Sequence, residues 1–490
     1  MLYKNSRINL VALARVIGLL LLIEALFMLI PFATCLIYGE NDYKAFLITI
    51  LITAGIGSVM AFAIKPENPE MGKREGFLLT ALTWIVFSIF GMLPFMIGDL
   101  KMSISDAFFE TMSGFTTTGA TVMTSIDHFS NGIHVWRCLM QWIGGMGIIL
   151  FTLAVLPMLN HSGGMQMFNA EVTGVTRDKL RPRISQTAKG LWLVYVVLTA
   201  ILCGLLCLGP MNFFESVCHA FSTMSTGGFS TRTESIAAWD TFYVKAVLTT
   251  FMFLGGVNFA LLFRVAVGHI EDLWKSEVFR TYVIVIGAVF GLFVVAIVAN
   301  SQVQSWQSVT IDPLFQVVST MTSTGLTIGN FENWGPFAVA LTFLLMMFGA
   351  CAGSTSGGAK LDRMLFLMKN IRNEVYRCLH PNAIRSVRIS GKVLSIDLVN
   401  KVMAFLCIYV ILIIFGGTIL TAVGMPLYDA FFSAFSCIGN TGLSAGVTGY
   451  GGSYDVIPDV GKWVLSFLML IGRLEVFTVL LLFTRTFWKK

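Results

Sequence analysis

Four Thr-Gly steps, each about a dozen residues beyond an acid, are the residues whose types and spacing could do chemistry in this chain. They are Thr118-Gly119, Thr226-Gly227, Thr324-Gly325 and Thr441-Gly442, reached from Asp106, Glu215, Asp312 and Asp429 at spacings of 13, 12, 13 and 13 residues. The residue before each step is small or polar: Thr117, Ser225, Ser323 or Asn440. Glycine releases the backbone from the usual φ restriction, so a chain that stops there can turn back with its carbonyl oxygens aimed at one axis. A ring of such oxygens can replace the hydration shell of a monovalent cation. Glycine to glycine, the copies lie 108, 98 and 117 residues apart, so each belongs to a larger repeating unit.

What positions the copies follows from composition. The chain has 490 residues, 56% of them hydrophobic and only 12% charged, against about 25% charged in soluble domains. It reads as a polytopic membrane protein. Its net charge of +6 is spread among apolar stretches, with no soluble segment long enough to make a basic domain, so nucleic acid is not expected as a partner. Nine scattered cysteines and six unclustered histidines give no metal-ligand spacing. Neither a nucleophile elbow nor a phosphate loop occurs, so an enzyme is not expected.

With about 20 apolar residues needed per spanning helix, spans are expected near 16–37, 44–64, 76–97, 136–158, 191–209, 242–263, 281–299, 336–368, 402–424 and 461–484. The first run is too long for a secretory signal and stays as a helix. Basic residues mark every second connection: Lys4, Arg7 and Arg15; Lys65, Lys73 and Arg74; Arg177, Lys179, Arg181, Arg183 and Lys189; Arg264, Lys275 and Arg280; Lys369 to Lys401; Lys489 and Lys490. That bias places those connections and both termini in the cytoplasm, and all four Thr-Gly copies on the outer side.

A helix of a dozen residues is only about 18 Å long at 1.5 Å per residue, too short for a hydrocarbon core of about 30 Å. Each copy must therefore enter and turn back. The acid sits where the helix begins and can cap free N–H groups against the positive dipole end; Pro313 at the start of the third copy fits the same place. Non-helical backbone at that depth is tolerated where it lines a water-filled path, so the residues assigned to a selectivity filter are Thr117, Thr118, Gly119, Thr226, Gly227, Thr324, Gly325, Thr441 and Gly442. The competing reading is that small residues simply mark helix contacts. Four recurrences on one side argue against it.

Other residues stand out. The eighth span is interrupted by GACAGSTSGGAK, with glycines at 349, 353, 357 and 358, each costing about 1 kcal/mol against alanine in a helix. It should unwind, either facing the permeation path or as a flexible turn ending a shorter helix. Arg473 lies mid-span, where an unpaired charge costs at least about 2.5–3.5 kcal/mol. It is either a cationic barrier below the filter or one half of a structural ion pair, although Glu475 is two residues away and not on the same helix face. Gly144-Gly145 and Gly255-Gly256, with Gly349 and Gly472, suit close helix packing or a hinge. Glu24 inside the first span reads as a helix–helix contact. The loops Asn160–Gly190 and Asn370–Lys401 are either plain topology signals or a docking face.

These residues together resemble the Trk/Ktr/HKT superfamily of potassium transporters, specifically its bacterial TrkH/TrkG type. The likeness covers nearly the whole chain: TTTGAT at Thr116–Thr121, GGFST at Gly227–Thr231, GACAGSTSGG at Gly349–Gly358, His380-Pro381, and GRLEVFT at Gly472–Thr478. The fourth loop departs, reading NTGLSAG at Asn440–Gly446 where relatives often carry a proline-containing NLGPGLG. The resemblance implies an all-α membrane protein with two leading transmembrane helices and four pseudo-symmetric helix–pore loop–helix units around one pore. That gives ten spanning and four re-entrant helices. The implied segments are 1–70 for the leading helices, then units 71–165, 185–270, 280–372 and 395–490, with a gating loop at 349–358. It implies potassium as the transported ion, with no other cofactor, and the bacterial cytoplasmic (inner) membrane and its lipid as the setting. A gate formed by Gly349, Gly353, Ser354, Gly357, Gly358 and Arg473 is implied too, as are a homodimer and a cytosolic RCK-type nucleotide-binding regulator like TrkA. With one filter glycine per loop, rather than two flanking an aromatic as in TVGYG, a shorter and less stringent filter is expected. A proton- or sodium-coupled symporter would instead need inverted halves and a midplane carboxylate.

Overall fold

The structure is a computed structural model that describes residues 8–64, 66, 71–159, 184–300, 303, 305–383 and 385–488. The basic residues Lys4, Arg7, Lys65, Arg177, Lys179, Arg181, Arg183, Lys489 and Lys490 lie outside them, as does most of the loop Asn160–Gly190. The described chain is helical apart from one two-stranded hairpin, Arg388–Ile389 with Lys392–Val393.

Two long helices lead, α1 (Leu10–Tyr38) and α2 (Tyr43–Ser58), and they pack along each other. Gly18 and Gly57 make this contact possible, because a side chain on Gly18 would run into the backbone of Ala61 at 2.6 Å. Next come α3 (Lys73–Gly91) with the short α4 (Leu93–Ile97), and α5 (Ile104–Phe115). α6 (Asn131–Leu159) and α7 (Ile184–Cys207) follow, then α8 (Phe213–Met224), α9 (Phe242–Gly255) and α10 (Phe259–Ala266). After the single turn α11 (Glu271–Lys275) come α12 (Glu277–Ala299), α13 (Ile311–Met321), α14 (Pro336–Phe348) and α15 (Leu361–Leu379). The chain ends with α16 (Ile396–Ala422), α17 (Leu427–Ile438), α18 (Asp459–Arg473), α19 (Val476–Leu482) and the turn α20 (Arg485–Trp488).

Among the described residues six helices are long and apolar enough to cross a membrane, and eight if two bent pairs are each one span. All ten expected spans have a helical counterpart, but three inner ones are broken. α9 and α10 meet at 105° and α18 and α19 at 117°, while α14 stops at Phe348 and helix resumes only at Leu361. The high mean hydropathy of each span concealed the two bends, although Asn258 stands at the first and Arg473 and Glu475 at the second.

The four short helices α5, α8, α13 and α17 hold 11 or 12 residues and are buried along nearly their whole length. Their acids lie just inside the helix rather than at the cap, at the third position in α5, α8 and α17 and at the second in α13. Ser103 and Asn212 are the N-caps, accepting from the N–H of Asp106 and Glu215. Glu215 completes a capping box, whereas Asp106 bonds Lys462 at 2.5 Å and Asp312 bonds Lys245 at 2.7 Å. Lys462 sits in the first turn of α18 and Lys245 in that of α9, so each acid joins two helices besides easing the dipole. The expected packing at Glu24 is present: the residue is buried, with its carboxyl beside Gly91 of α3.

Candidate cation pathway

Each short helix ends in the same way. Its last turn closes with an N–H to C=O bond onto a serine: Thr118 to Ser113, Gly227 to Ser222, Thr324 to Ser319 and Thr441 to Ser436, at 2.8 to 3.0 Å. The residue before each donor takes the left-handed conformation that ends helices: Thr117 (φ 55°), Thr226 (φ 53°), Ser323 (φ 53°) and Asn440 (φ 49°). Such positions normally fall to glycine, and a non-glycine residue there costs about 1–3 kcal/mol. Two residues on, a glycine again has positive φ: Gly119 (84°), Gly228 (84°), Gly325 (77°) and Gly442 (71°).

This periodicity corrects the register read for the second copy. The conformational counterpart of Gly119 is Gly228, not Gly227, and the acid-to-glycine spacing is 13 in all four copies. Thr118, Gly227, Thr324 and Thr441 share one position, and Thr117, Thr226, Ser323 and Asn440 the one before it. Two adjacent glycines let the Thr-Gly pair mislead, because residue identity pointed one step short of the backbone's actual turn. The fourth loop follows the same backbone course as the others despite its departure in sequence.

The four loops close on one another. A side-chain carbon built on Gly119 would collide with the carbonyl oxygen of Gly227, one on Gly228 with that of Thr324, one on Gly325 with that of Thr441, and one on Gly442 with that of Thr118. The fourth copy thus returns to the first. Carbonyl oxygens of one sequence position thus follow one another round a closed cycle of four loops.

Behind the loops runs a layer of polar residues that sequence reasoning missed. Four positions after each acid stand Glu110, His219, Gln316 and Ser433, all fully buried. Three of them reach the outgoing limb of their own loop. Glu110 accepts from Thr121 and from the Val122 N–H, both at 3.0 Å. His219 bonds Ser230 at 3.0 Å, and Ser433 lies 3.5 Å from Ser444. The signal was available in the repeats, since a polar residue recurs at one offset in otherwise apolar helices; the serines seven residues after each acid recur likewise. Arg137 of α6 has no such repeat. Its guanidinium bonds Glu110 at 2.9 Å, Thr121 at 3.2 Å and the Ser230 carbonyl at 3.3 Å, joining the first two loops.

Below the ring lies the interruption Gly349–Lys360, almost wholly buried. Gly349, Gly353 and Gly358 have positive φ, and Ser354 turns its hydroxyl back to the Cys351 carbonyl at 2.6 Å. Thr355 donates to the Met224 and Gly255 carbonyls, each at 3.2 Å. The Gly357 N–H donates to the Ser323 hydroxyl at 2.6 Å, and Gly357 has no room for a side chain because the Gly439 carbonyl is in the way. This segment is therefore hydrogen-bonded to the inner ends of the second and third loops and packed against that of the fourth, so a flexible turn ending a shorter helix does not describe it. Arg473 ties it to α6: it donates to Thr355 O at 2.9 Å and to Gly144 O at 2.8 Å. It bonds carbonyls rather than a carboxylate, while Glu475 pairs with Arg363 at 2.6 Å.

The expected close packing of the inner-helix glycines is seen at Gly144, Gly256 and Gly472. Added side chains there would strike the Phe115 carbonyl, the Tyr282 hydroxyl and the Ile438 carbonyl. Gly255-Gly256 also sits where α9 ends and the chain bends, so packing and bending coincide.

Residues 42–490 match the family model described as TrkH, cation transport protein. The chain belongs to the TrkH family. It is 37% identical over 485 residues to the Trk system potassium uptake protein TrkH of Escherichia coli (strain K12), covering 98% of this chain and 99% of that one. It is 32% identical to the Trk system potassium uptake protein TrkG of the same strain, over 96% of this chain and 97% of that one. The crystal structure of the potassium transporter TrkH from Vibrio parahaemolyticus superimposes with a TM-score of 0.89 at 33% identity, covering 98% of this chain and all of that one. A membrane protein of the TrkH family accounts for the apolar helices and for the four re-entrant turns alike.

Proposed function

We infer that this chain takes up potassium across the bacterial cytoplasmic membrane, passing the ion through the ring formed by its four loops. The observation that carries this reading is the closed cycle of four identically turned segments, each presenting the carbonyl of one equivalent residue toward the next copy's glycine. Its relatives are named for potassium uptake. The filter comprises Thr117, Thr118, Gly119, Thr226, Gly227, Gly228, Thr324, Gly325, Thr441 and Gly442. The units 71–165, 185–270, 280–372 and 395–490 each contribute one quarter of it, and both termini lie in the cytoplasm. The partners are a second copy of the chain and a cytosolic nucleotide-binding regulator, docking on the loops Asn160–Gly190 and Asn370–Lys401. Growth of a potassium-uptake-deficient bacterium on limiting potassium, with and without this chain, tests the reading. Absence of rescue by a chain present in the membrane would refute it.

Gating falls to Gly349, Gly353, Ser354, Gly357, Gly358 and Arg473. The loop obstructs the path directly beneath the ring, and Arg473 both holds it by the Thr355 carbonyl and places a cation where it repels potassium. Arg473→Ala removes both effects and should raise potassium flux several-fold, since each hydrogen bond from a charged group contributes about 1.5–3 kcal/mol. Unchanged flux at equal protein level would take Arg473 out of the gate.

A further inference from the structure

Three residues before the inner-helix glycines Gly144, Gly255, Gly349 and Gly472 stand Gln141, Met252, Met346 and Met469. All four are at most 1% exposed. The equivalent ring position of the loops carries Thr118, Thr324 and Thr441, but Gly227 in the second copy. One amide thus replaces a thioether, and one glycine replaces a threonine, and the two exceptions touch. Gln141 Nε2 donates to the Gly227 carbonyl at 2.7 Å, and its Oε1 accepts the Phe229 N–H at 3.1 Å. A side chain built on Gly227 would collide with the same carboxamide. Gln141 therefore occupies the volume that a threonine fills in the other three loops.

The second loop needs this more than the others. Gly227 and Gly228 are consecutive, so neither side chain restrains the peptide planes whose carbonyls face the centre. Gln141 staples the pair from both sides, at the Gly227 oxygen and at the Phe229 nitrogen. A carbonyl oxygen has two lone pairs, and one bond to Gln141 leaves the other for an ion.

We propose that Gln141 is a positioning residue of the ring. It fixes the Gly227 carbonyl at the radius set by the three threonine loops, and thereby sustains discrimination of potassium against the smaller sodium ion. The proposal rests on the potassium-uptake reading above.

The test is sodium inhibition of potassium uptake in uptake-deficient cells. It compares the parent chain with Gln141→Met, Gly227→Thr and the double variant, which gives the second loop the pairing of the other three, with membrane abundance measured in parallel. Gln141→Met should make uptake about tenfold more sensitive to sodium, the equivalent of one to two hydrogen bonds. Gly227→Thr alone should lower uptake about tenfold through the collision with Gln141. The double variant should return both quantities toward the parent; relief of the collision alone would restore uptake but not the parental sodium sensitivity. If Gln141→Met fails to reach the membrane, Gln141→Leu carries the same expectation. Parental sodium sensitivity in Gln141→Met or Gln141→Leu overturns the proposal, as does a double variant no better than the worse single one. A parent chain that takes up potassium and sodium indifferently would overturn the functional reading and this inference together.

Discussion

Gly325→Ser is expected to lower potassium uptake about a hundredfold and to abolish its preference over sodium. Gly325 has φ 77°, where a non-glycine residue costs about 1–3 kcal/mol. The added side chain also strikes the Thr441 carbonyl, and that oxygen cannot retreat without dragging the fourth loop. Together the two costs reach about 3 kcal/mol, or roughly two powers of ten. Gly228→Ser should behave in the same way, since it has φ 84° and faces the Thr324 carbonyl. Gly227→Ser is different. Its backbone lies outside the left-handed region, and its new side chain meets the Gln141 side chain, which can rotate. Uptake assays on the three variants therefore measure the register: if Gly227→Ser were more damaging than Gly228→Ser, the assignment of Gly228 as the counterpart of Gly325 would be wrong.

The comparison of these neighbouring glycines shows what the chain's spacing can and cannot reveal. Short helices ending in a turn were legible because a dozen apolar residues between an acid and a glycine cannot cross a bilayer, whatever packs around them. The unwinding of 349–360 was legible because glycine's cost is local. Membership of Gly227 or Gly228 in a given conformation depends on hydrogen bonds from Gly227 to Ser222 and on the neighbouring loop, and only the assembled ring settles it. Arg473 was recognisable as a buried cation needing partners, but its partners proved to be the carbonyls of Thr355 and Gly144, groups present at every residue and so invisible in a list of side chains. The bends after Gly255 and Arg473 were hidden for a related reason: Asn258 and the helix end at Leu474 satisfy the freed backbone groups, and a hydropathy average over about 20 residues does not register the one or two polar residues at each break.

Breaking the Arg137–Glu110 pair should be the most destabilising single change outside the ring. Both side chains are at most 1% exposed, and removing one partner of a buried pair costs about 3–5 kcal/mol because the other is left charged and unpaired. Arg137→Met strands Glu110, whose carboxylate then keeps only Thr121 and the Val122 N–H. It also frees the Ser230 carbonyl, so the outgoing limbs of the first and second loops lose their common anchor. The methionine can still pack on Phe229, whose ring lies 4.2 Å from the guanidinium carbon, so lost volume is a minor part of the effect. Adding Glu110→Gln removes the stranded charge while keeping an acceptor for Val122, and should recover most of the loss. Thermal unfolding of the purified proteins in detergent should therefore rank the parent highest, the double variant next and Arg137→Met lowest. A double variant no more stable than Arg137→Met would mean that the arginine matters for the bridge to Ser230 rather than for neutralising Glu110.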